Sequence, residues 1–361
     1  MSEIPNELPN SLPSDISTAR DYKPLAQAEL DEYVWHYLEG AAGRAITAEE
    51  NTQAFDTLTL IPRPLVKLNQ PTTSLTLFGQ SYAHPVFLAP IAYQRLFHSE
   101  GELATAMAAN AQSGQMIVSS LASQPLEAII EIAQQPLWFQ LYWQGDRDRT
   151  YRLIERAISA GYAVIVFTVD APVKQLMINL PSDIAAINQE APLEPSTIGA
   201  SQSMVFDGWM SKAPTWEDLV WLRNQIKVPL IVKGVLHSDD AKQIEQIGCE
   251  GLIVSNHGGR VLDGTPTSFS QLATIKSAVT NKTKVFFDSG VRSGQDVYKA
   301  LAEGADMVMM GRPYVWGLAA QGALGVAHIL RIVRDELEMT MALTGVSNLN
   351  EIRHNNQKGK R

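Results

Sequence analysis

In the stretch SNHGGRVLDGTP, His257 stands before two glycines and Arg260 follows three residues later. Glycines let a backbone approach a ligand closely, an imidazole exchanges a proton near neutral pH, and a guanidinium grips a carboxylate through paired hydrogen bonds. That spacing offers a base and an anion clamp to one small acid. A histidine in such a turn can also do no more than cap backbone groups, so its surroundings must decide.

Further clusters point the same way. Arg292 in DSGVRSG and Arg312 in MGRP lie among glycines and backbone amides, a composition suited to a phosphate, although two arginines can equally sit in surface salt bridges. Lys233 ends the apolar run PLIVKG, where its ammonium must find an anion or an electron-rich ring, or act as a Schiff-base nucleophile. Asp170 ends AVIVFTVD and is suited to hydrogen-bond His257 and stabilise an imidazolium, or else to cap the next loop.

The elements that carry these residues repeat. Eight short apolar runs, each followed by a turn and a helical stretch, occur at PVFLAP (85–90), MIVSS (116–120), LWFQLY (137–142), AVIVFTVD (163–170), PLIVKG (229–234), GLIVSNHG (251–258), KVFFDSG (284–290) and MVMMGR (307–312). Nearly continuous apolar runs suit strands buried on both faces, and the alternation predicts a parallel (β/α)8 TIM barrel. In that fold catalytic groups gather at the carboxyl ends of strands, and the loops after strands seven and eight often hold a phosphate. Those ends carry Ser119, Ser120, Gln140, Tyr142, Thr168, Asp170, Lys233, Asn256, His257, Arg260, Asp288, Arg292 and Arg312. A barrel built for stability alone has no need of so polar a rim.

Residues 20–60 read as a helical N-terminal extension, 173–213 as a lid-like loop with little periodicity, and 1–20 and 351–361 as flexible tails around one domain at 21–350. Ser99 and Glu102 resemble a capping box before LATAMAANA. A formal net charge of −9 argues against nucleic acid or anionic lipid as a partner. The single cysteine, Cys249, offers no disulfide and no metal-ligand spacing, which suits a reducing cytoplasm. The proline-rich start does not read as a signal peptide, and no run approaches the roughly 18 uninterrupted apolar residues of a membrane span.

The motifs LAPIAYQRLFHSEGE, FQLYW, TVDAP, IVKGV, SNHGGRVLDG, FDSGVRSG and MGRP, in that order between about residues 22 and 345, resemble the FMN-dependent 2-hydroxy acid oxidases and dehydrogenases. The resemblance implies that Pro90, Ile91, Ala92, Ser119, Gln140, Thr168, Lys233, Ser255, Asp288, Gly290, Arg292, Gly311 and Arg312 surround FMN, with Arg292 and Arg312 on its phosphate. It implies His257 as base, Asp170 as its partner, Tyr142 as donor to the substrate oxygen and Arg260 as carboxylate clamp. The expected reaction takes a small L-2-hydroxy acid, lactate or a bulkier acid such as mandelate, to the 2-oxo acid, with oxygen reduced to hydrogen peroxide. A quinone or cytochrome acceptor, and a flavin-binding protein with little turnover, are the alternatives. Relatives tend to form tetramers, which implies a homo-oligomer, tetramer or octamer. Three positions depart from the family pattern. His36 stands where a carboxylate-binding tyrosine is usual, Leu121 replaces a tryptophan and implies a roomier substrate pocket, and Met177 replaces an arginine that reaches the active site.

Overall fold

All eight apolar runs form strands in the computed structural model, which describes residues 12, 15–172, 180–190, 199 and 201–353. They are β1 (Val86–Leu88), β2 (Gln115–Ser119), β3 (Trp138–Leu141), β4 (Val164–Thr168), β5 (Leu230–Val235), β6 (Gly251–Val254), β7 (Lys284–Phe287) and β8 (Met307–Met310). Each pairs in parallel with its sequence neighbour, and β8 closes on β1 through Val308 with Val86 and Met310 with Leu88. The expected closed TIM barrel is therefore observed. Parallel neighbours need a crossover, and each strand is followed by a helix, from Glu102–Ala111 after β1 to Arg312–Thr344 after β8.

The helix Arg147–Ala160 shows how local sequence sets these crossovers. Asp146 accepts the amide of Arg149 at 2.8 Å and so caps the start, while Gly161 at φ +107° ends it. Between them Thr150, Leu153, Ile154 and Ala157 recur at helical spacing and are buried.

Side chains alternate across each strand, and that parity separates two cores. Val308 and Met310 join the large core with the helices, whereas Met307 and Met309 point into the barrel with Phe87, Ile117, Trp138, Val166, Ile231, Ile253 and Phe286. A hairpin of Leu75–Leu77 and Gln80–Tyr82 stoppers the amino-terminal end, where Tyr82 accepts a hydrogen bond from the Trp138 indole at 3.2 Å. Three helices precede the barrel, at Tyr22–Glu29, Glu32–Glu39 and Ile46–Gln53, as the helical extension requires.

One local expectation changes. The helix after β1 starts at Glu102 with Gly101 as its cap, not Ser99. Glu102 turns inward, fully buried, and accepts from Gln94 N, Ser123 N and Ser123 Oγ at 2.8–3.0 Å, a stronger set of partners than a solvent-exposed cap. The helix Arg312–Thr344 is, by length and composition, apolar enough to cross a bilayer, yet 61% of its most apolar window is buried in the fold. Its apolar face is the outer wall of the barrel, and it kinks at Gln321 and Gly322.

Candidate active site

Carrying the strand parity one step beyond each inward apolar residue gives the next layer. Ala89, Ser119, Gln140, Thr168, Lys233, Ser255, Asp288 and Gly311 follow the inward set at intervals of two, so the barrel's upper layer is mostly polar where those below it are apolar. Its members satisfy one another. Ser119 Oγ donates to Gln140 Oε1 at 3.1 Å, and Gln140 Nε2 donates to Thr168 Oγ1 at 2.9 Å. Lys233, only 4% exposed, donates to Ser255 Oγ and pairs with Asp288 Oδ2, both at 2.8 Å. Burial works against the lysine's charge, but Asp288 and Asp170 outweigh it and raise its pKa. That firmly held proton argues against Lys233 as a Schiff-base nucleophile.

Above this floor lies a cavity of about 400 Å³, within the roughly 300–1,000 Å³ common for small-ligand sites. Its wall includes Pro90, Ile91 and Ala92 after β1, Tyr142 after β3, His257 and Arg260 after β6, Gly290 and Arg292 after β7, and Gly311 and Arg312 after β8. Ser119, Gln140, Thr168, Lys233 and Asp288 complete it from below.

One end of the cavity is built for an anion. Arg292 and Arg312 enter no ion pair among the described residues; Arg292 lies over the Trp316 ring at 5.5 Å, and Arg312 donates to the carbonyls of Leu38, Gly40 and Gly258. The surface salt-bridge alternative is therefore not what forms. Burial lowers the pKa of Arg292 to about 10, and burial with the nearby Arg292 and Arg260 lowers that of Arg312 to about 9. Desolvated cations crowded together call for a counter-charge, and the helix that begins at Arg312 adds its positive end. Gly290 lets the Ile46–Gln53 helix pack against this end: at φ +85° a Cβ there would sit 2.1 Å from the Asn51 carbonyl oxygen.

At the other end, Asp170 Oδ1 lies 2.9 Å from His257 Nδ1, and Tyr142 Oη lies 3.3 Å from His257 Nε2. With Nδ1–H given to the carboxylate, Nε2 is the basic nitrogen facing the cavity. Burial opposes the charge on Asp170, yet His257 and Lys233 outweigh it and lower its pKa, so it stays ionised. Burial raises the pKa of the Tyr142 phenol, keeping it a donor. His257 itself has φ +57°, an uncommon conformation for a non-glycine residue and one that sites rather than stability tend to keep.

Four expected site residues do not line the cavity. Asp170 acts from behind His257, and Ser255, fully buried, lies beneath, bonded to Lys233 Nζ and accepting the His257 amide at 3.1 Å. Leu121 is packed into the outer core, 7% exposed, and does not reach the cavity. His36 is exposed, its Nδ1 2.6 Å from the Glu32 carbonyl, and borders a smaller side pocket with Tyr33 and Arg260. Tyr37 lines the main cavity instead, with the Arg260 guanidinium 5.3 Å from its ring centroid. Helical spacing held that signal, since Tyr37 shares a face with the buried Val34 and Leu38. Trp209 and Val261 also line the cavity, Trp209 from residues 204–212, whose sequence carries no regular pattern to mark it. Met177 lies outside the described residues.

A seat for phosphate joined to an apolar-walled slot over a carboxylate-backed imidazole defines a barrel enzyme working with a phosphorylated cofactor. The chain belongs to the FMN-dependent dehydrogenase family, which it matches over residues 26–358. It is 42% identical over 348 residues to an L-lactate oxidase of Alicycliphilus denitrificans, covering 93% of this chain and 94% of that one. It is 37% identical to 2-hydroxyacid oxidase 2 of Mus musculus, covering 92% and 95% of the two chains. Among solved structures, a mandelate oxidase with (S)-2-phenylpropionate superposes with a TM-score of 0.84 at 36% identity, over 94% of this chain and 97% of that one. FMN suits the residues present: a phosphate meets Arg292 and Arg312, and a ring system meets Lys233 and the polar floor.

Proposed function

We propose that this chain uses FMN to oxidise a small L-2-hydroxy acid, lactate foremost, to the 2-oxo acid, and passes the electrons to oxygen to give hydrogen peroxide. The observation that carries the reading is the cavity-facing Nε2 of His257, backed by Asp170 and sharing one wall with Arg260.

FMN, when bound, supplies the acceptor for the electron pair and the α-hydrogen that the acid gives up. His257 Nε2 takes the hydroxyl proton, and the imidazolium so formed is held by Asp170 at 2.9 Å. Tyr142 donates to the same substrate oxygen. Arg260 already gives three N–H groups to the carbonyls of Tyr37, Leu38 and Gly40, and the two that remain serve the substrate carboxylate. Lys233 stabilises negative charge gained by the cofactor ring, from a position fixed by Asp288 and Ser255.

Lactate is favoured by the relatives named L-lactate oxidase and by the apolar side chains of Ala171, Trp209 and Val261 in the wall, which suit a methyl group. A cytoplasmic location is supported by the single cysteine, Cys249, which is buried and has no second cysteine with which to form a disulfide. A homo-oligomer is supported by the exposed apolar side chains of Ile61, Leu65 and Val66, in a segment whose Arg63 amide donates to the carbonyl of the likewise exposed Leu343 at 2.9 Å.

The test is an anaerobic titration of the purified protein with lactate, glycolate and mandelate, followed by flavin absorbance, with peroxide measured on readmission of air. Bleaching by lactate followed by peroxide is expected. Yellow protein that no 2-hydroxy acid bleaches would defeat the reading, and dye reduction without oxygen uptake would replace oxygen with a quinone or cytochrome acceptor.

A further inference from the structure

The segment that follows β1 is held from behind by a buried polar relay with no part in the chemistry above. Gln94, Thr105 and Tyr314 are all 0% exposed. Thr105 Oγ1 donates to Gln94 Oε1 at 2.6 Å, which fixes the amide's orientation. Gln94 Nε2 then donates to Tyr314 Oη at 3.1 Å and to the Ile91 carbonyl at 3.4 Å. Tyr314 Oη donates onward to the Ala89 carbonyl at 2.8 Å.

These bonds draw the carbonyls of residues 89 and 91 away from the cavity that Pro90, Ile91 and Ala92 line. The amides of Ile91 and Ala92 find no acceptor among the described residues. Ala92 is buried and Ile91 half-buried, and both line the cavity, so their unpaired amides are available to a ligand there. A hydrogen bond received by a peptide carbonyl polarises that peptide and strengthens its own N–H as a donor. The bond from Gln94 to the Ile91 carbonyl acts in this way on the Ala92 amide.

We propose that Gln94 and Tyr314 are positioning residues that aim the 91–92 amides toward the flavin ring, with Gln94 also polarising the Ala92 amide, and thereby favour its reduced form. The inference rests on the FMN reading above. A reduced flavin carries more electron density on its ring carbonyl oxygens than an oxidised one, so a donor aimed at such an oxygen stabilises it selectively.

The test compares Tyr314→Phe and Gln94→Met with Ser123→Ala in the FMN-loaded protein. Ser123 is equally buried and bonds to Glu102 in the same cluster, but it touches no carbonyl of residues 89–91. Reduced FMN is expected to lose about tenfold more affinity than oxidised FMN in the first two variants, the weight of one ordinary hydrogen bond. For a two-electron couple that is a fall of about 30 mV in midpoint potential, with Ser123→Ala unmoved. A purely structural relay would weaken both redox forms alike, and an unchanged potential in flavin-loaded Tyr314→Phe would overturn the inference alone. If Gln94→Met fails to fold, Tyr314→Phe, which removes one oxygen atom, still decides. An unaltered protein that binds no FMN would overturn the inference together with the cofactor reading.

Discussion

Gly234→Ala perturbs the base without replacing any residue that meets a ligand. Gly234 has φ +106°, and a Cβ there would lie 2.5 Å from both Cβ and Cγ of Asp170 and 2.9 Å from its amide nitrogen. The backbone conformation costs an alanine about 1–3 kcal/mol, and forcing a methyl group into packed surroundings costs about 1–3 kcal/mol more. A total loss of about 2–6 kcal/mol of stability is expected. Asp170 can yield only by moving off His257 Nδ1, and a charge-assisted hydrogen bond is worth about 1.5–3 kcal/mol, so flavin reduction should slow by about 10- to 150-fold. Gly248→Ala is the control: its φ is +89° but nothing lies within 4 Å of the added Cβ, so it should lose only the backbone term and keep full activity. Thermal melts and anaerobic stopped-flow reduction of the bound flavin measure both effects. If the two variants melt alike and reduce flavin at the same rate, the packing of Asp170 against Gly234 does not hold the base in place.

Three further outcomes follow from the same geometry. Arg312→Met should weaken FMN binding by about 10- to 100-fold, since it removes a charged partner of the phosphate, and should shrink the rise in melting temperature that added FMN produces; fluorescence titration and thermal melts check this. Asp170 has a lowered pKa, so its contribution to stability is complete above its ordinary value of 3.8 and fades as pH falls through the lower folded value. Asp170→Asn should therefore flatten the acid limb of the stability profile, and equal acid limbs measured by circular dichroism would count against the pairing. Trp209→Ala should raise kcat/KM for mandelate relative to lactate by roughly tenfold or more, because it widens the apolar wall; a ratio that stays put would remove Trp209 from the specificity surface.

The sequence made the barrel legible because eight buried parallel strands leave eight apolar runs, and strand parity then orders the rim: Ser119, Gln140, Thr168, Lys233 and Asp288 all extend inward-facing series. Residues whose place depends on helix phase or on the approach of distant segments were harder to read. His36 and Tyr37 are neighbours in sequence, yet a turn of about 100° per residue sends one to solvent and the other into the cavity. Glu102 looked like a cap because its fold partners, Gln94 and Ser123, are supplied by two separate loops. Trp209 reaches the cavity from a segment outside the regular alternation, and spacing alone carries no sign of that. The two arginines illustrate the converse case, in which glycine-rich turns after the last two strands disclosed an anion seat that burial then sharpens.

Rapid mixing of lactate with anaerobic His257→Ala bears most directly on proton removal at Nε2. The variant should stay yellow, since the anion seat and polar floor are untouched, while its flavin bleaches at least about a hundredfold more slowly than in the unaltered protein. Bleaching at the unaltered rate would show that the imidazole beside Asp170 is not the base.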